Sequence, residues 1–220
     1  MAQAVGSRLS GAAIMEQSTS IRPSSQAVVA RAIEVAASLF AERGYDATAT
    51  RDISRALGIT NGTFYHYFPS KEMLLVQICR ESILRMTESV STALSGLRIS
   101  RKKLITLIEA HHMARVENRA LRIVMLTERR ALGPDKAKEI NELAGEYRAI
   151  IEGVIREGQD AGLVRTDVSA EALTLALLNL MNYPIIRSNN EHSRDIETVE
   201  EAIDQARTLG MIFLEGAAPR

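Results

Sequence analysis

With 220 residues, 46% of them hydrophobic and 25% charged, the chain is long enough for one or two domains around a sizeable core. Lys plus Arg and Asp plus Glu both number 27, so the chain is no polycation, and any contact with nucleic acid has to come from a local arrangement. The single Cys79 leaves no internal disulfide framework and fits a reducing cytoplasm, and no apolar run reaches the roughly 18 residues of a membrane span.

Residues 1–25 are rich in Ser, Ala and Gln and carry no apolar core of signal-peptide type, so they read as a disordered arm, with Met15 a second candidate start. From Gln26 to Arg43, Val29, Ala32, Ile33, Ala36, Ala37 and Phe40 recur at steps of three and four, which predicts a helix that Gly44 ends. A second helix is expected from Thr50 to Leu57, with Thr48 as N-cap, Ile53, Ala56 and Leu57 facing in, and Gly58 closing it.

A short helix follows from Asn61 to Phe68, capped by Thr60. Of the chain's five Tyr and four Phe, Phe64, Tyr65, Tyr67 and Phe68 all lie here. At about 100° per residue, Phe64, Tyr67 and Phe68 share one face. Gly62, Thr63 and His66 lie opposite, with Tyr65 at the edge. A helix this short needs its apolar face to anchor it, which leaves a small, polar face without acidic residues suited to a DNA groove. Two helices joined by a short Gly-containing turn are also a helix-turn-helix signature. Pro69 stops the helix, and Ser70 caps a long fourth helix that turns Leu74, Leu75, Ile78 and Ile83 inward.

The rest of the pattern is helical throughout. Arg101–Glu117 carries Leu104, Leu107, Ile108 and His111 on one face. Helices are expected over Arg119–Leu132, from Asp135 to about Asp160 after the Gly133-Pro134 break, from Asp167 or Ser169 through a bend at Pro184, and from Asp195 to Leu214 after a polar loop at Ser188–Arg194. No alternating run predicts a strand. The expected architecture is all-α with about nine helices.

Chemistry-bearing residues are few. His111 and His112 point about 100° apart on a helix and cannot chelate one metal ion together. Cys79 has no base marked beside it, and phosphate-binding, dinucleotide and nucleophile-elbow motifs do not occur, so no catalytic site, metal site or cofactor is expected and the chain is read as no enzyme. An effector pocket would lie among the inward faces of the fourth to eighth helices. His111, Arg122, Met125, Asn179 and Tyr183 are its candidate lining, and each is by type also an ordinary packing or surface residue.

The stretch from Ile33 to Leu75, with LFAERGYDAT, RDISRALGIT and GTFYHYFPSKEMLL, resembles the DNA-binding domain of the TetR family of bacterial transcriptional regulators. The resemblance implies a helix-turn-helix domain over residues 26–70 and a helical effector-binding and dimerising domain over 71–220. By position it implies that Thr50 and Arg51 contact phosphate or an adjacent base. Asn61, Gly62, Thr63, Tyr65 and His66 would form the recognition face, and Lys71 would clamp a phosphate. The segment TERRALGPD and the helix after it look like the branch of the family that senses acyl-CoA thioesters in lipid or sterol breakdown. The expectation is a cytoplasmic ligand-responsive repressor, released by a hydrophobic or acyl-CoA effector. It would bind a palindromic double-stranded operator as a homodimer through its last two helices. The competing expectation is a DNA-bound adaptor whose helical body engages a protein partner without an effector.

Overall fold

The computed structural model describes residues 25–190 and 199–219. Among them are nine α-helices: α1 (Ser25–Arg43), α2 (Thr50–Leu57), α3 (Asn61–Tyr67), α4 (Lys71–Leu94), α5 (Arg101–Glu117), α6 (Arg119–Thr127), α7 (Pro134–Asp160), α8 (Ala170–Asn190) and α9 (Val199–Gly216). No strand occurs among the described residues, and the protein is all-α. The N-terminal arm falls outside them, apart from Ser25, which opens α1.

Local chemistry sets the boundaries in the first half. The predicted stripe of α1 is buried at Ala32, Ile33, Ala36, Ala37 and Phe40. Gly58 takes a left-handed φ of 70° and its N–H closes α2 onto the Arg55 and Ser54 carbonyls. Thr60 caps α3 by accepting from the Thr63 N–H at 3.1 Å, and Ser70 caps α4 by accepting from the Met73 N–H at 3.1 Å.

Two details of α2 differ from expectation. The N-cap is Ala49, because Thr48 is buried and its hydroxyl donates back to the Gly44 carbonyl at 2.8 Å. Asp52 compensates: its carboxylate accepts from the Ala49 N–H at 3.3 Å and sits favourably at the positive end of the helix. Ala56 is exposed, so the inward face of α2 is Ile53, Ser54 and Leu57.

The larger helices pack around α5, which contacts α4, α6, α7, α8 and α9. That enclosure buries Ala110, His111, His112, Ala114 and Arg115 on several sides of one helix. The sixth helix stops at Thr127, and a 3-10 turn at Arg129–Ala131 replaces its expected last turn. Pro134 then starts α7, where its missing N–H costs nothing. Gly158 of α7 marks a close approach: a Cβ there would lie 2.7 Å from a methyl of Val164. The expected polar loop is helical as far as Asn190, and its remainder lies outside the described residues, as does 195–198 of the expected last helix.

Candidate nucleic-acid interface and buried polar cluster

The recognition candidate, α3, has only seven residues and is held by its neighbours. Phe64 and Phe68 are buried, with ring centroids 5.6 Å apart, and Tyr67 is half-buried. Burying each phenylalanine contributes about 1.5–3 kcal/mol, ample to seat two turns of helix. Two side-chain bridges then fix its rotation against α2. Ser54 donates to the Asn61 amide oxygen at 2.9 Å, and the hydroxyls of Thr50 and Tyr65 lie 3.2 Å apart.

Asn61, Gly62, Thr63 and Tyr65 are exposed on this surface, Tyr65 at 48%. Gly62 has room: a Cβ there would meet only the Thr60 hydroxyl oxygen, at an ordinary 3.7 Å. Arg51 is exposed beside them on α2. His66 is exposed too, but it lines a groove of about 580 Å³ shared with Val29 and Ile33 of α1 and Gln77 and Arg85 of α4. It also meets Tyr67 edge-on at 5.3 Å.

Lys71 has work inside the protein. Its ammonium donates to the carbonyls of Tyr45 and Thr48 at 2.8 and 3.1 Å and lies 4.0 Å from the centre of the Tyr45 ring. The same loop is held from the far side by Glu128, which accepts from the Tyr45 N–H at 3.4 Å. Next to Lys71, Glu72 accepts from the Gly133 N–H at 2.8 Å. The turn between α1 and α2 is thus tied to the end of α6 and, through α4, to the start of α7.

The effector candidates fall into two groups. His111, Arg122 and Met125 are buried. Asn179 is exposed, contrary to expectation: the inward stripe of α8 runs through Leu173, Leu177 and Met181, and Asn179 lies about 160° from Met181 around the axis. Asn182 takes its place, accepting from Arg122 Nη2 at 2.9 Å. The Tyr183 side chain lies outside the described part of the molecule.

His111 Nδ1 lies 2.6 Å from the hydroxyl of Tyr147, a buried residue of α7. Burial, followed by the positive charge of Arg122, holds the His111 imidazole well below its usual range, so it is neutral. Burial likewise raises the Tyr147 phenol and lowers the Arg122 guanidinium, which Arg129 and Arg115 also repel. Burial pushes the Cys79 thiol up to about 12, that of an unreactive core residue. Among the described residues no group of His, Cys, Asp and Glu could hold a metal ion.

Sequence reasoning missed Ser54, Tyr45, Tyr147, Asn182 and the burial of His112 and Arg115. Tyr147 had a signal: it falls seven residues from both Ile140 and Val154, on one buried stripe of α7.

A helix-turn-helix head joined to a helical body defines a class of DNA-binding regulator, and comparison with known proteins fixes which. The family model described as bacterial regulatory proteins, tetR family, matches residues 32–78, and that of the tetracyclin repressor-like C-terminal domain matches 99–185. The HTH-type transcriptional repressor KstR2 of Rhodococcus jostii is 32% identical over 63% of this chain and 69% of its own length. The fatty acid metabolism regulator protein of Bacillus subtilis is 24% identical over 77% of this chain and 91% of its own. The crystal structure of the Bacillus subtilis regulator FadR with stearoyl-CoA shares the fold, with a TM-score of 0.72 and 20% identity over 85% of this chain and 98% of that one. The chain belongs to the TetR family of bacterial regulatory proteins. It is a DNA-binding transcriptional regulator and not an enzyme. No helix among the described residues is long and apolar enough to cross a membrane.

Proposed function

We propose that the protein is a cytoplasmic repressor that binds a palindromic operator as a homodimer and is released by a hydrophobic or acyl-CoA effector. Residues 26–70 serve as the reading head and 71–220 as the effector-binding and dimerising body. The observation that carries this reading is the division of labour on α3. Phe64 and Phe68 are sunk in the core, while Asn61, Gly62, Thr63 and Tyr65 stand exposed and are braced from α2.

In the complex Gly62 permits close approach of the backbone to the duplex. Thr50, Arg51 and Tyr65 hold phosphates, fixing register. Asn61, Thr63 and His66 reach base edges, and Lys71 keeps its third N–H for a phosphate beside the loop it braces. Two heads about 34–36 Å apart would read consecutive major grooves. Dimerisation through α8 and α9 is supported by the large apolar side chains they leave in water: Leu175, Met211 at 54% and Ile212 at 56% exposure.

Repressor action and an acyl-CoA effector are supported by the relatives, one named as a repressor and one crystallised with stearoyl-CoA. A route for the signal is available. Helix α6 carries Arg122 and Met125 in the body, and Glu128 at its end holds the Tyr45 loop of the head. Release requires the effector to favour the non-binding form by about 1–3 kcal/mol, or 5- to 150-fold.

The test is footprinting on the DNA flanking the protein's own gene, with Thr63→Ala and Tyr65→Ala compared by gel shift. Both variants should lose operator binding while folding and dimerisation persist. Wild-type binding by both would remove this face from the interface.

A further inference from the structure

Each of four helices sends one polar side chain to the same buried place: His111 from α5, Arg122 from α6, Tyr147 from α7 and Asn182 from α8. Their hydrogen bonds do not balance. Asn182 satisfies Arg122 Nη2, but Arg122 Nε is buried without a partner. The His111–Tyr147 bond leaves one more donor whichever way it is made. If the tyrosine donates, His111 Nε2 carries the proton, and that buried nitrogen makes no well-formed hydrogen bond: Asn182, which also bears on the His111 ring, already accepts from Arg122. If His111 Nδ1 donates instead, the tyrosine O–H is free to turn.

The charge does not balance either. A guanidinium keeps its proton in any protein interior, and Arg122 is only 5% exposed. Arg115 and Arg129 bear on it with the same sign, and among the described residues no carboxylate pairs with it. Burying a cation without a counter-charge is strongly unfavourable, and surplus buried donors add to the cost. A site with a spare donor, spare positive charge and no anionic acceptor of its own is suited to an anionic one. Met125, about 60° from Arg122 around α6, is a buried apolar side chain on the same side of that helix. It suits the end of a hydrocarbon chain and not a nucleotide head that would carry several charges inside.

We infer that the cluster of Arg122, His111, Tyr147 and Asn182 recognises a carboxylate, and that the effector class is an acyl compound carrying a carboxylate at its far end. The inference rests on the reading of the helical body as the effector-binding part. The planar fork of Arg122 matches the two oxygens of a carboxylate, and the His–Tyr pair supplies a second donor. A methyl-terminated chain would leave those donors and the charge unanswered.

The full-length protein is titrated calorimetrically with suberoyl-CoA, octanoyl-CoA, free suberate and coenzyme A, and operator release is followed in parallel. Suberoyl-CoA should bind at least about tenfold more tightly than octanoyl-CoA, a modest share of the discrimination that buried polar sites reach. Arg122→Met should erase that preference while raising the melting temperature of the ligand-free protein, because it removes an unpaired buried charge. Should that variant fail to fold, Arg122→Gln replaces it, and the wild-type preference decides on its own.

Octanoyl-CoA binding as tightly as suberoyl-CoA would overturn the inference and leave an acyl-CoA effector standing. Coenzyme A matching suberoyl-CoA would overturn it in favour of head-group recognition. Suberate binding without its thioester would support the carboxylate site and remove the thioester from the proposed function. Binding by none of the four would overturn both. A folded Arg122→Met protein that keeps the preference would reduce Arg122 to a packing residue and overturn the inference.

Discussion

Replacing Gly62 by alanine separates what the fold needs from what the operator needs. Inside the protein the added methyl has space, since its nearest neighbour is the Thr60 hydroxyl oxygen at 3.7 Å. Gly62 lies in the first turn of α3, where alanine gives up less backbone freedom, so Gly62→Ala should raise stability by about 0.5–1 kcal/mol. At the proposed docking surface the same methyl would stand where the backbone comes nearest the duplex. Overfilling a packed contact costs about 1–3 kcal/mol, and a symmetric dimer meets the cost twice, so operator affinity should fall about thirtyfold or more. Urea midpoints measure the first quantity, and fluorescence anisotropy on a labelled operator at fixed salt measures the second. A stabilised variant whose operator affinity stays within about threefold of wild type would refute close approach at Gly62. A destabilised variant would refute the account of α3 packing.

Lys71→Met removes the donor shared by the Tyr45 and Thr48 carbonyls and should cost about 1–3 kcal/mol in urea unfolding; unchanged stability with weakened operator binding would make Lys71 a phosphate contact only. His111 gives a pH dependence. Its folded pKa lies below 6.5, so in falling pH the unfolded chain takes up a proton that the folded one refuses. Stability should therefore drop below that pH by about 1.4 kcal/mol per unit. Denaturation across pH checks it, and a His111→Asn variant that keeps the wild-type slope would contradict it. Met211→Glu combined with Ile212→Glu should yield a folded monomer in sedimentation with little operator affinity, whereas a stable dimer would move the interface away from α9.

What could be read in advance follows the range of the forces involved. The caps at Thr60 and Ser70 and the stop at Gly58 depend on side chains within four residues, and all three stand where the pattern placed them. The buried stripe of α1 and the anchoring phenylalanines of α3 follow from helical period alone. Ala49 displaced Thr48 as a cap because the threonine side chain is turned inward, its hydroxyl donating to the Gly44 carbonyl and not facing the free N–H groups of α2. The partners of Lys71 are 26 and 23 residues away, a distance over which no pattern in the chain speaks. The same holds for the body: α5 is enclosed on several sides, so Arg115 and His112 are buried although residue type argues against it. Asn179 failed by helical phase, a matter of three residues along α8.

On the proposed route, Glu128 reaching the Tyr45 backbone would join two equilibria, and joined equilibria obey reciprocity. Whatever factor an effector in the body takes from the affinity of the head for DNA, bound DNA must take from the affinity of the body for the effector. A repressor seated on its operator is thus a poorer receptor than the same molecule adrift in the cell. The free molecules fill first as the effector accumulates, and the occupied operator is the last to respond. On that route the carboxylate accepting one backbone N–H would help to set the concentration at which the gene is released, as well as the shape of the turn.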